Sequence, residues 1–205
     1  MNMNKDFFSK VKYHKSASSP EKLGDSLAEV AFVGRSNAGK SSLLNAICGD
    51  SDLARVSKVP GRTRTINVFS VKDGKWIIDL PGYGFAAFVS KKEQNDWKNM
   101  LQLYLSGRPS LKTVFVLVDA SISATKIDCE MLMWLDSIGM PYYVAANKID
   151  KIAQPNFSGQ CRKLAEGLKC APENIGWVSA KKGTGIPELR EILSGLLELN
   201  SVTLP

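Results

Sequence analysis

Short unbroken apolar runs alternate along this chain with longer stretches whose apolar residues recur at helical spacing. "EVAFVG" ends at a glycine and reads as a buried strand, and "KSSLLNAICG" follows with helical spacing up to a glycine suited to a C-cap. "INVFSVKDGKWIIDL" reads as two strands joined by Asp73-Gly74, a dipeptide that favours a tight hairpin turn. "KKEQNDWKNMLQLYL" is amphipathic, with Trp97, Leu101, Tyr104 and Leu105 on one side. "TVFVLVDA", "PYYVAANK" and "IGWVSA" predict further strands, separated by the helical patterns "IDCEMLMWLDSIG" and "FSGQCRKLAEGLK". "GIPELREILSGLLEL" predicts a closing helix. Strands alternating with helices predict a three-layer α/β fold. The expected sheet has six strands and is mostly parallel, with one antiparallel edge strand from the hairpin and helices on both faces.

Two segments fall outside that alternation. Residues 1–26 are polar and basic, with Lys5, Lys10, Lys12, Lys15, Lys22 and a "SASSP" patch, and read as a flexible N-terminal arm. The expected domain then spans 27–200, with 201–205 as a tail. "DSDLARVSKVPGRTRT" has no apolar period and reads as a long loop, a length that usually signals a function.

Composition narrows the class. At 205 residues, 44% hydrophobic and 23% charged, the chain suits one soluble domain with a substantial core. The net charge of +7 suits a polyanionic partner or serves solubility alone. Cys48, Cys129, Cys161 and Cys170 show no CxxC spacing, and His14 is the single histidine, so packed reduced thiols are expected rather than a zinc site. No signal peptide or membrane span is visible, so a cytoplasmic protein is expected.

The chemistry concentrates at strand ends. "GRSNAGKSS", residues 34–42, matches the phosphate-loop pattern GxxxxGK[ST] between a strand and a helix. Glycines there let N–H groups curl around phosphate oxygens, so Gly34, Arg35, Ser36, Asn37, Ala38, Gly39, Lys40, Ser41 and Ser42 form the expected cradle. The helix that follows points its positive end at the same place. Lys40 adds a charge near the β and γ phosphates, and the Ser41 hydroxyl can ligate Mg²⁺. "DLPG" supplies Asp79, Leu80, Pro81 and Gly82: the carboxylate can hold Mg²⁺ through water, and the glycine N–H can meet a γ-phosphate oxygen. Alone, a DxxG is a strand-ending turn; in this order it reads as the second half of a nucleotide site.

"NKID" supplies Asn147, Lys148, Ile149 and Asp150. The Asp150 carboxylate can accept from guanine N1–H and the 2-amino group, donors that adenine lacks, which selects GTP and GDP. Asn147 can hold neighbouring loops, and the stem of Lys148 can lie over the base. "VSAKKG" follows the last strand, and backbone N–H groups around Val178, Ser179 and Ala180 can meet guanine O6.

With "GRSNAGKSSLLNAI", "PGRTRTINVF", "DLPGYGFA", "NKID" and "VSAKKGTGI" in one order, the chain resembles the EngB (YsxC/YihA) family of TRAFAC-class P-loop GTPases from Leu23 onward. Two departures are visible: "NKID" where the family commonly has TKxD, and "SISATKID" without the Arg-His of many relatives. The resemblance implies a GTP-hydrolysing switch that associates with the large ribosomal subunit, its rRNA and its proteins, during maturation. It also implies that a threonine of the loop 52–65 reaches Mg²⁺ and the γ-phosphate. Thr63 in "GRTR" is favoured and Thr65 is the runner-up, which places Gly61, Arg62, Thr63, Arg64 and Thr65 at the nucleotide, with Lys40, Thr63 and Gly82 catalytic. In related GTPases an asparagine at the Asn37 position helps hold K⁺; the alternative is that Asn37 only stabilises the loop. Arg35, Arg62 and Arg64 either touch phosphate or rRNA or are simply solvated, and the basic arm is the better candidate for an rRNA contact. Tyr83 stands where many GTPases place a water-orienting glutamine, so slow intrinsic hydrolysis is expected. A monomer without DNA or membrane partners is expected, since the chain ends "SVTLP" without a lipidation cysteine. The competing reading is a regulatory GTPase acting on a protein or membrane partner. A metabolic ATPase is disfavoured by Asp150.

Overall fold

The computed structural model describes residues 7–54, 65–83 and 91–199, without the side chains of 91, 93 and 94. Seven strands form one sheet: β1 (Lys12–Ala17), β2 (Ala28–Gly34), β3 (Ile66–Ser70), β4 (Lys75–Asp79), β5 (Leu111–Asp119), β6 (Tyr142–Asn147) and β7 (Ile175–Trp177). Their order is β1-β3-β4-β2-β5-β6-β7. The helices are α1 (Lys40–Cys48), α2 (Lys91–Gly107), α3 (Lys126–Ser137), α4 (Phe157–Leu168) and α5 (Ile186–Leu196).

Strands β4, β2, β5, β6 and β7 pair in parallel, and β3 is antiparallel to both of its neighbours. The β3–β4 hairpin turns at Asp73 (φ 51°) and Gly74 (φ 72°), both left-handed, the backbone that a two-residue hairpin loop needs. Period-2 alternation divides the core. Val30 and Phe32 of β2 face α1 and α5, whereas Ala31 and Val33 face α2, α3 and α4. Phe32 and Phe115 stack with centroids 4.9 Å apart, and burying each is worth about 1.5–3 kcal/mol. No helix among the described residues is long and apolar enough to cross a membrane.

The class is the expected one, with two corrections. The sheet has a seventh strand, and the reversed strand lies one place in from the edge rather than at it. Both follow from the N-terminal segment. Residues 7–26, expected as a mobile arm, pack on the domain: Phe8 and Leu23 are fully buried, Val11 and Ala17 nearly so, and β1 zips onto β3. The physical reason is that β3 would otherwise present an open hydrogen-bonding edge; the backbone of β1 pairs with it, while Phe8, Val11, Ala17 and Leu23 anchor the segment in the core. Residues 1–6 and 200–205 lie outside the described residues.

Candidate nucleotide-binding site

The sheet brings the C-terminal ends of β2, β4, β5, β6 and β7 to one rim. There the chain leaves β2 for β3 and β4 on one side of it and crosses from β4 to β5 on the other, the kind of crevice where open α/β sheets bind ligands. Residues 34–42, 79–82, 147–150 and 178–180 all follow strands that end at this rim.

Each glycine of the phosphate loop has its own reason. A Cβ on Gly34 would stand 2.9 Å from Leu117 Cβ and 3.0 Å from its carbonyl oxygen, so the residue lets β5 approach β2. Gly39 is left-handed at φ 95°, and a Cβ there would lie 2.5 Å from the Asn147 Nδ2. Asn37 is left-handed too, at φ 69°. Ala38 is buried against the α1 and α5 layer, whereas Ser41 and Ser42 stand in the first turn of α1. That helix starts at Lys40 with no side-chain cap at Gly39. Its first-turn amides thus fit an anion, which is the donor set a triphosphate needs.

Lys40 forms an ion pair with Asp79, which is almost fully buried and also accepts from Asn67 Nδ2 at 3.2 Å. Past β4 the chain keeps bonding to the continuation of β2. Leu80 N–H donates to Phe32 O (2.9 Å), Tyr83 N–H to Gly34 O (3.2 Å), and Ser36 N–H to Tyr83 O (3.1 Å). Pro81 lends its carbonyl to Trp97 Nε1 at 3.3 Å. Gly82 is therefore held beside the phosphate loop. Arg35 turns its Nε away from solvent to within 4.0 Å of Asp128, so the guanidinium faces a carboxylate of the chain.

The base-side loops are tied to the phosphate loop. Asn147, buried, donates from Nδ2 to Ala38 O (3.1 Å) and accepts at Oδ1 from Ala180 N–H (3.0 Å). The Ala180 N–H, expected to face guanine O6, is thus engaged within the chain. Lys148 donates to Asp119 Oδ2 (2.7 Å) and to Asn37 O. Burial pushes the Asp119 carboxyl up, but hydrogen bonds from Lys148 and Ser121 outweigh it and hold the group below its usual range. Ile149 N–H donates to Val178 O at 3.2 Å. Asp150 is exposed; its Oδ1 accepts from the buried Ser179 hydroxyl at 2.6 Å. Ser179 Oγ in turn accepts from Lys182 N–H at 3.1 Å.

A family model described as "50S ribosome-binding GTPase" matches residues 29–148. A protein of Hyphomonas neptunium named "Probable GTP-binding protein EngB" is 43% identical over 178 residues, covering 84% of this chain and 80% of its own. The chain belongs to the EngB family. The Thermotoga maritima EngB is also 43% identical, over 84% of this chain and 88% of its own. A crystal structure of an EngB superposes with a TM-score of 0.69 at 28% identity, covering 84% of this chain and all of that one. Era in complex with MgGDPNP and a stretch of 16S ribosomal RNA follows at a TM-score of 0.60 and 26% identity, covering 89% of this chain and 60% of that one. EngB membership makes this domain a GTPase.

Of the residues singled out in this EngB sequence, Gly61, Arg62, Thr63 and Arg64 lie outside the described residues. Thr65 stands just before β3, and its hydroxyl donates to Asn67 Oδ1 at 3.4 Å. Three polar residues at the rim escaped the sequence reading: Asn67, Asp119 and Asp128. Asp119 could have been found, because it ends the apolar run "VFVLVD" where the neighbouring strands end.

Proposed function

We propose that this chain is a Mg²⁺-dependent GTP/GDP switch with slow intrinsic hydrolysis that acts on the large ribosomal subunit during its assembly in the cytoplasm. The observation that carries the reading is Asp150. One of its oxygens is held by Ser179 while the residue stays exposed beside the loop that Asn147 ties to the phosphate cradle. A fixed carboxylate open to solvent suits the paired donors of guanine and leaves adenine unmatched. Bound Mg²⁺ would supply positive charge between the phosphates. Ser41 and Thr63 are the residues to hold it, Asp79 can bond its water, and Gly82 N–H meets the terminal phosphate. Lys40 leaves Asp79 for the phosphate oxygens. Asn37 is the candidate to hold K⁺ beside them. Slow turnover is supported by Tyr83, whose phenol is buried and bonded to Asp128 rather than free to orient water.

The large-subunit client is supported by the family model's description; Era's complex with 16S, a small-subunit RNA, and the charge of +7 support only a ribosomal RNA partner in general. Sedimentation of the purified protein with large subunits, in GDP or a non-hydrolysable GTP analogue, tests it. Salt-sensitive, nucleotide-dependent co-sedimentation is expected. Absence from the pellet in both states overturns the ribosomal reading in favour of a protein- or membrane-directed switch. Exchanging Na⁺ for K⁺ in a turnover assay tests Asn37; equal rates reject the potassium role.

A further inference from the structure

Residue 83 follows Gly82 directly, and its side chain is buried in the domain. The Tyr83 hydroxyl donates to Asp128 Oδ1 at 2.9 Å, with both residues almost fully buried. Asp128 is no ordinary surface acid. It is the third residue of α3, and its Oδ2 accepts from the Thr125 hydroxyl (2.6 Å) and the Thr125 N–H (3.4 Å) while its own N–H donates back to Thr125 Oγ1 (3.3 Å). That reciprocal pair is the cap on which α3 starts. Arg35, the second residue of the phosphate loop, closes the group with its Nε 4.0 Å from Asp128 Oδ2 and no hydrogen-bond partner for that Nε among the described residues. The backbone of Tyr83 is bridged to Arg35 as a short parallel extension of β2 and β4.

We infer that Tyr83 is a positioning residue that links the γ-phosphate-sensing glycine to the first turn of α3 through Asp128. The inference rests on the GTP reading above. A pull on the Gly82 amide moves residue 83. Because the phenol is bonded to the capping carboxylate in a dry interior, the first turn of α3 moves with it. The same bond explains why this position does no chemistry on water. Desolvation first, and the Asp128 charge second, push the Tyr83 hydroxyl far above its usual range, so the proton stays on the phenol.

Amide hydrogen exchange over residues 126–130, compared between GDP and a non-hydrolysable GTP analogue, reads the link. In the unaltered chain the two nucleotides should give exchange rates differing by about fivefold, the low end of coupling between sites. Tyr83→Phe should bring them within about twofold while both nucleotides still bind. A purely structural role would instead lower the melting temperature and raise exchange equally in both states, keeping the ratio. Should Tyr83→Phe not fold, the pair Asp128→Asn and Asp128→Ala carries the test: the amide keeps an acceptor for the phenol and keeps the difference, whereas alanine loses it. An undiminished ratio in Tyr83→Phe or Asp128→Ala, or equal rates in the unaltered chain with both nucleotides bound, overturns the link alone. A chain that takes up no GTP overturns the nucleotide reading and the link with it.

Discussion

Strand β2 carries a charge cluster at each end, and the two are finished differently. At its start Glu29 is fully buried, and donors within the chain meet both of its oxygens: the Ser26 hydroxyl, the Tyr104 hydroxyl at 2.7 Å, and the Arg108 guanidinium, which also reaches Gly24 O at 2.9 Å. Burial first, and the Glu29 charge second, push the Tyr104 hydroxyl well above its usual range. At the other end Lys40, Asp119 and Lys148 are paired across loops and keep partial exposure, and Asp150 has one oxygen held. The first cluster is closed and pins the end of α2 to the sheet. The second is made of bonds that a ligand could replace, which is what a binding rim requires.

The contrast breaks most visibly at its closed end. Arg108→Ala leaves Glu29 buried and unpaired, and the expected loss is about 3–5 kcal/mol of unfolding free energy, read by urea denaturation. A loss below about 1 kcal/mol would show that water reaches the cluster. At the open end, Asp150→Asn should reverse the pattern. The amide keeps one uncharged acceptor and turns an N–H₂ donor toward the guanine donors, so one hydrogen bond is lost and the other loses its charge, lowering GTP affinity by about 10²–10³-fold in calorimetric titration. The urea midpoint should barely move. Asn147→Ala lies between the two ends. It removes bonds to Ala38 and Ala180, so about 1–3 kcal/mol of stability should go together with weakened binding of both GDP and GTP.

The smallest effect is a pH dependence. Because the Asp119 carboxyl is held below its ordinary value in the folded chain, its pairing with Lys148 stabilises above the unfolded carboxyl's pKa, near 3.9. That contribution is lost as pH falls through the lower folded value. Lys148→Met should therefore cost under about 1 kcal/mol, constant from neutral pH down to about 4 and vanishing below it. A cost that grew on acidification would refute the pairing.

Phosphate and guanine chemistry made much of the rim legible, because those ligands demand set residue types at set spacings. Gly34, Gly39, Lys40, Asp79 and Asp150 could be read without any coordinates. The reasons for them could not: Gly34 answers to Leu117 on another strand, and Gly39 to Asn147 over a hundred residues away. Asn67 carries no motif, since its Asp79 partner comes from the next strand. Asp128 was legible only in part: Thr125-x-x-Asp128 is a capping-box spacing, but its contact with Tyr83 arises through tertiary packing. The first strand was illegible for a different reason. Lys12, Tyr13 and His14 are exposed, and a register shift between Tyr13 and Lys15 breaks the alternation by which a strand is recognised.

That same irregular strand decides what the molecule's outermost edge offers to a neighbour. A flat, apolar border would invite another polypeptide to extend the ladder and seed self-association. Here an approaching chain meets a short, kinked line that opens on the exposed Lys12, which makes the border a poor template for stacking copies even at high concentration.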